Sequence, residues 1–425
     1  MNLRNRNIGL FIKKRNIKWE VRLLLLILIA SVLSPIITNN KPLYCSLNGQ
    51  SYYPAFNDVL SVHSLTKING KVLTGSSNWQ HLKYEYVVWP PFKHGALELD
   101  TENKDFQSPL HRSKNEIGES ADFRSQHLFG TNRQGKDVLA NVLGGIKYSL
   151  LIGISAVIIA ACIGIFIGSI AGYYKNKFTI GKVELVGIIV FLFPAWFYSF
   201  SIRKYAISDA FTSGVHSGLM QLLFSLFLFS AICVLASKTG KYLDNLFKTQ
   251  PIQFRLDSFL SGIIEIFASI PGIIIVVTLA ALVGKKSTVL LIVILGTTSW
   301  PVFARLARAE VMRIKEKSFI ESARVLGSSN SRIIWKHILL NALPALAVAI
   351  AFAIGSLILV ESALSFLGIG VPDNTPTLGS LLRSGREHIE AWWLIVFPGG
   401  TIFLLIYLFN RIGDKISVRT NQYKG

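Results

Sequence analysis

Sulfur is scarce in this 425-residue chain, with three cysteines and three methionines, and acid is scarce against base, 24 Asp and Glu to 44 Lys and Arg. The shortage of cysteine excludes a disulfide framework or a thiolate metal centre. Cys162 and Cys233 lie within apolar runs, where Cys behaves as a small buried hydrophobe, and Cys45 stands alone in a polar region. No Ser/His/Asp set, paired carboxylate or metal-spaced His cluster stands out, so the sequence offers no site for bond chemistry. Charge of either sign is short as well: 16% of residues are charged, 51% are hydrophobic, and mean hydropathy is +0.45. Length alone would suggest two or three soluble domains. Several apolar runs reach the roughly 20 residues that cross a bilayer, so a single water-soluble core is the wrong picture.

The net charge of +20 fits either a nucleic-acid binder or a membrane protein with basic loops on one side. Here Lys and Arg cluster beside apolar runs, as in "RNIGLFIKKRNIKWEVR" and "RLARAEVMRIKEK", which favours the membrane and no nucleic-acid partner. "VRLLLLILIASVLSPII" follows a basic segment as a signal peptide would, but no small-x-small cleavage site follows it. It reads as an uncleaved first span.

The expected fold is an all-α polytopic membrane protein with about eight transmembrane helices. Residues 1–19 form a basic tail, 20–38 the first span and 39–147 an external domain whose fold is not readable. Residues 148–412 form the membrane domain, with a coupling loop at 305–340, and 413–425 a second tail. The spans after the first are expected at 149–173, 183–202, 217–236, 256–283, 287–304, 342–366 and 392–410. Gly and Ala recur through the second (Gly153, Ala156, Ala160, Gly164, Gly168), as in helices that pack closely in lipid. Short-loop Lys and Arg put both termini and the 305–340 loop in the cytoplasm.

Two stretches invite a functional reading. "FGTNRQGKDVL" carries Gly130, Gly135 and Lys136 in the spacing of a phosphate-binding loop. Asp137 stands where a Ser or Thr hydroxyl should reach Mg²⁺, no hydrophobic strand precedes the loop, and the topology sets it outside. The second stretch is "KSFIESARVLGSSNSRIIWKHILLNALPAL", residues 317–346. Glu321 to Leu326 reads as a short amphipathic helix with Gly327 as its stop. "SNSRIIWKHI" begins a second helix that enters the membrane near Pro344.

This stretch resembles the coupling loop of permease subunits of bacterial ABC importers, E-A-A, three residues, then Gly. Here it reads Glu321-Ser322-Ala323 with Gly327, Ser322 replacing the usual first Ala, and Leu340 replacing a Pro often found further on. "HLFGTNRQGKDVLANVLGGIKYSLLIG" and "ESALSFLGIGVPDNTPTLGSLL" are similar to two further blocks of the oligopeptide/dipeptide/nickel permeases. The order of blocks points to the C-type subunit. The inserted helix pair at about 183–236 departs from the usual six-span permease; adding two spans leaves every later loop on its original side.

The resemblance implies a transport subunit that forms half of a peptide path and performs no catalysis. It implies a homologous permease partner, two ATPase subunits that bind ATP and Mg²⁺, an extracytoplasmic substrate-binding protein, and a bacterial inner membrane. The coupling face would be Ile320, Glu321, Ser322, Ala323, Leu326 and Gly327, docking in the ATPase. Glu265, Pro271 and Glu361 are candidates for the path, although a buried carboxyl hydrogen-bonded between helices is the more ordinary account of Glu361. Trp335 and His337 are candidates for ATPase contact or for the membrane surface, and Trp392 and Trp393 read as interfacial anchors. An ion-coupled secondary transporter is the alternative, but it predicts internal repeats and facing ionisable residues that are not seen.

Overall fold

The computed structural model describes residues 18–47, 49–55, 66–68, 71–73, 79, 84–100, 104–110, 126–175, 178–213, 215–283 and 286–422. Most of the tail at 1–19 lies outside them. Among the described residues six helices are long and apolar enough to cross a membrane: Val138–Tyr174, Lys182–Ile202, Met220–Phe247, Thr288–Lys315, Asn330–Phe366 and Trp393–Val418. Leu256–Ser269 and Gly272–Leu282, bent by 79° at the intervening Ile270 and Pro271, make a seventh when taken as one broken span. The fold is all-α and polytopic.

The first expected span, 20–38, is helical with one break among the described residues. The helix Lys18–Val32 has 15 residues and gives way at Leu33 to a separate turn, Ser34–Ile37. Pro35 has no N–H to continue the ladder, so the chain re-starts around it. The Lys18–Val32 helix is tied to the last helix by an ion pair between buried Glu20 and Lys415, and Lys415 also lies 5.9 Å over the Trp19 ring.

The chain divides into two compact units. One comprises Met1–Ser169 and Ile264–Gly425, the other Ile170–Ile263. In the first, Val138–Tyr174 is the central helix. A Cβ added at Gly164 would lie 2.5 Å from the Trp300 carbonyl, and one at Gly168 2.3 Å from the Ala304 carbonyl. The close approach is mutual, since a Cβ on Gly296 would lie 2.7 Å from the Ile159 Cβ. Ile152, Leu291, Leu295, Ile358, Leu378 and Leu405 are buried around this seam. Thr288–Lys315 and Leu339–Phe366 have 28 residues each, about 42 Å of helix, and run in opposite directions from the turn that joins them. That turn therefore sits at one end of the bundle. The loop before Val138 and the segment after Phe366 sit at the other.

The second unit is a helical hairpin that packs on itself. Strands Phe178–Ile180 and Ile252–Phe254 pair antiparallel and close its base. Asp244 accepts the backbone N–H groups of Val183 and Glu184 at the start of Lys182–Trp196, and Gly240 lies against the Glu184 backbone. The stretch between the expected spans at 183–202 and 217–236 includes a helix, Lys204–Ser213. The segment between Ile37 and Val138 contains a small antiparallel sheet, Gln50–Tyr52, Tyr44–Leu47 and Tyr86–Val88, and a hairpin of Thr66–Ile68 with Lys71–Leu73.

The seam makes a prediction. Gly168→Leu should lower the thermal stability of the detergent-purified chain by the equivalent of about 1–3 kcal/mol, the usual cost of overpacking. Gly400→Ala, whose Cβ would meet nothing within 4 Å, should leave the melting temperature within a degree or two of wild type.

Candidate functional site

The coupling stretch folds as helix, glycine turn, helix. Ser318–Val325 is the first helix. It ends in a Schellman motif: Ser328 N–H donates to the Ala323 carbonyl, Gly327 N–H donates to Arg324, and Gly327 takes φ of +76°. Ser329 then caps the next turn by accepting from Arg332 N–H. Asn330–Arg332 continues through a π-helical turn, Ile333–Ile338, into Leu339–Phe366 without a break. The Leu-for-Pro difference at Leu340 is consistent with that continuity.

The expected docking residues divide between two faces. Ile320 and Ala323 point inward and are buried, against the turn that carries Ile333 and Ile338. Glu321 and Ser322 are exposed, and Leu326 is 84% exposed beside Val325 at 86%. Ile320 and Ala323 continue one helical stripe, but Leu326 is already the C-cap and Gly327 turns the backbone away. Leu326 therefore leaves the stripe that sequence spacing alone assigns to it. Helical spacing does not single out Val325, although a β-branched apolar residue so close to a glycine stop is a legible signal. Trp335 is half-exposed and faces Phe166 of its own chain, ring centroids 6.5 Å apart.

At the opposite end, the loop from His127 to Asp137 explains its resemblance to a phosphate loop in backbone terms. Gly130 and Gly135 both adopt φ of +79°, and a Cβ would lie 2.6 Å from the Gln107 carbonyl and 1.9 Å from the Asp100 carbonyl respectively. Asp137 Oδ1 accepts Ala140 N–H at 2.7 Å and so occupies the helix start that a phosphate would need. Its Oδ2 meets His127 Nδ1 at 2.8 Å, while His127 Nε2 meets Asp100 at 3.2 Å. Burial opposes charge on His127, but hydrogen bonds and attraction from Asp100 and Asp137 outweigh it and push its pKa up to about 9. Trp393 is buried and donates from Nε1 to the Thr131 carbonyl, so it locks this loop to the last helix; Trp392 alone of the pair is half-exposed.

A cavity of about 430 Å³ opens here between the loop and the Leu378–Glu387 helix, with Arg133, Lys136, Asp373 and Arg383 among its lining. The Lys286 ammonium holds Asp373 below the usual carboxylate range, with Arg383 adding to it.

The three path candidates do not converge. Glu361 is fully buried, and its oxygens accept from Ser149 Oγ and Ser365 Oγ at 2.8 Å each, bonding Val138–Tyr174 to Leu339–Phe366. Glu265 is exposed on Leu256–Ser269. Pro271 sits at the 79° break.

A bundle of long apolar helices, with a short helix–glycine turn at one end and a cavity at the other, is the architecture of a multi-pass membrane protein. Residues 251–421 match the family of binding-protein-dependent transport system inner membrane components. The curated relatives the chain resembles are permease proteins of transport systems and not enzymes. The chain is 24% identical to the inner membrane ABC transporter permease protein YejE of Escherichia coli over 405 residues, 94% of this chain and 91% of that protein. An alignment that long runs through both the segment before Val138 and the helical hairpin of the second unit. It is 28% identical to the dipeptide transport system permease protein DppC of Alkalihalophilus pseudofirmus, over 69% of this chain and 70% of that one. It is 36% identical to the oligopeptide transport system permease protein OppC of E. coli over 163 residues, 38% of this chain and 54% of that one.

The Glu361 network sets an expectation of its own. Glu361→Leu strands two buried hydroxyls and should destabilise the purified chain by about 1–3 kcal/mol in thermal unfolding. Glu361→Gln keeps acceptors for them and should lose less than half as much.

Proposed function

We propose that this chain is one permease subunit of an ATP-driven peptide importer, forming half of the translocation path. Its partners in this reading are a homologous permease, two ATPase subunits that carry ATP and Mg²⁺, and an extracytoplasmic substrate-binding protein. Both termini and the Ser318–Val325 turn face the cytoplasm. The peptide class follows the names of the relatives DppC and OppC.

The observation that carries the reading is the tip of that turn. Val325 and Leu326 stand almost fully exposed beside a Schellman stop, on a stem whose Ile320, Ile333 and Ile338 are completely buried. Burying such a side chain on a partner is worth about 1.5–3 kcal/mol, and the stem makes the tip a rigid handle. Ile320 and Ala323 act as this stem, while Glu321, Ser322, Leu326 and the Gly327 turn face the motor. ATP-driven closure of the ATPases would then rotate Thr288–Lys315 and Leu339–Phe366 as rods. The exposed apolar residues Ile266, Ile273, Ile274 and Leu282 at the bent pair suit the partner permease or lipid.

Co-expression with the partner permease and ATPases tests this. Leu326→Asp should reduce ATPase co-purification and peptide-stimulated ATP hydrolysis at least tenfold. Gly327→Asn, which tolerates the left-handed backbone, should stay near wild type, whereas Gly327→Val should lose most coupling. No Cβ contact lies within 4 Å of Gly327, so its effect reports backbone conformation rather than a clash. Unchanged recovery and unchanged hydrolysis in Leu326→Asp would reject the docking assignment.

A further inference from the structure

Three side chains at the capped end of the bundle meet in a way the transport reading does not use. His94, Asp100 and His127 each offer a ligand atom, and these atoms lie within 4.8 Å of one another. His94 and His127 are 7% and 4% exposed, and their rings stack with centroids 3.9 Å apart at 27°. The Asp100 Oδ2 to His127 Nε2 separation is 3.2 Å. Two ligands about 2.0 Å from one tetrahedral ion stand about 3.3 Å apart, so this pair already has the spacing of a shared zinc.

The surroundings match a metal centre in a second way. The other ring nitrogen of His127, Nδ1, meets Asp137 at 2.8 Å. A carboxylate on the distal nitrogen is the usual partner of a metal-bound imidazole, fixing its tautomer and raising its basicity. Two carboxylates, Asp100 and Asp137, flank the His127 ring, and a divalent cation balances that pair better than one histidine proton does.

We propose that His94, Asp100 and His127 bind one zinc-type divalent cation that staples residues 94–100 to the loop before Val138. Two imidazoles and a carboxylate suit Zn²⁺ better than Mg²⁺ or Ca²⁺, which favour oxygen shells. Water fills the fourth position. Asp137 is the positioning residue: one oxygen holds His127 and the other caps the Val138–Tyr174 helix, so the ion stiffens the start of the central span. The site does not rest on the importer reading and stands or falls apart from it.

The test uses the full chain, purified without a polyhistidine tag, stripped with a chelator and reloaded with Zn²⁺. Metal content by mass spectrometry should be about one zinc per chain, and Zn²⁺ should raise the melting temperature by several degrees. His94→Ala and Asp100→Asn should each cut zinc below about a tenth per chain and abolish the shift. Cys162→Ser should change neither. His127→Ala also breaks the links to Asp100 and Asp137, so the first two variants are the decisive ones. Wild-type protein that is folded yet takes up no zinc, or variants that retain it, would overturn the proposal and leave Asp100–His127–Asp137 as a proton-bridged strut.

Discussion

Backbone-to-backbone contact along Val138–Tyr174 is the constraint on which the rest of the bundle depends. Lipid is as apolar as leucine, so hydrophobicity cannot drive one span against another within the membrane. What remains is dispersion, which needs atoms at contact distance, and hydrogen bonding among the few polar groups. Gly164 and Gly168 let Thr288–Lys315 approach until no side chain fits between, and Gly296 does the same from the opposite helix. Glu361 adds the polar part, binding Ser149 across to Leu339–Phe366. Both helices that emerge from the exposed turn are thereby fastened to the same central helix.

Thr288–Lys315 and Leu339–Phe366 are both fastened to the central helix and joined by a short turn. The Schellman motif and the Ser329 cap satisfy its backbone groups without flexible loop. At the other end, His127, Asp137 and Trp393 fasten the loop, the central helix and the last helix together. The bent pair around Pro271 is the exception, since its break interrupts the rod and its apolar residues are turned outward.

What is legible in the sequence is what local chemistry decides. Hydropathy locates the long spans, and the Gly and Ala pattern marks 149–173 as an inner helix with no neighbour known. Pro271-Gly272 announces a kink, and Gly327 a helix stop. The failures are of a different kind. The expected coupling face joins Ile320 and Ala323 to Glu321, Ser322, Leu326 and Gly327, whereas the fold buries the first two, exposes the others and exposes Val325 beside them. Trp393 reads as an interfacial anchor because an indole near a span end has that default, and its partner, the Thr131 carbonyl, lies 262 positions away. His94, Asp100 and His127 have no ligand spacing at all, and only the folding of the segment before Val138 brings them together.

The two glycines of the 130–137 loop show why a motif needs its structural context. A phosphate loop uses glycine so that backbone N–H groups can face an anion. Here the same spacing serves the opposite end. Gly135 makes room for the Asp100 backbone, which sets the Asp100 carboxylate against His127, and Asp137 consumes the helix terminus an anion would have used. The loop is thus arranged around carboxylates and imidazoles, with charge suited to a cation rather than a nucleotide. The same side chain that disqualifies the nucleotide reading, Asp137, is the one that orients His127 and starts the central span.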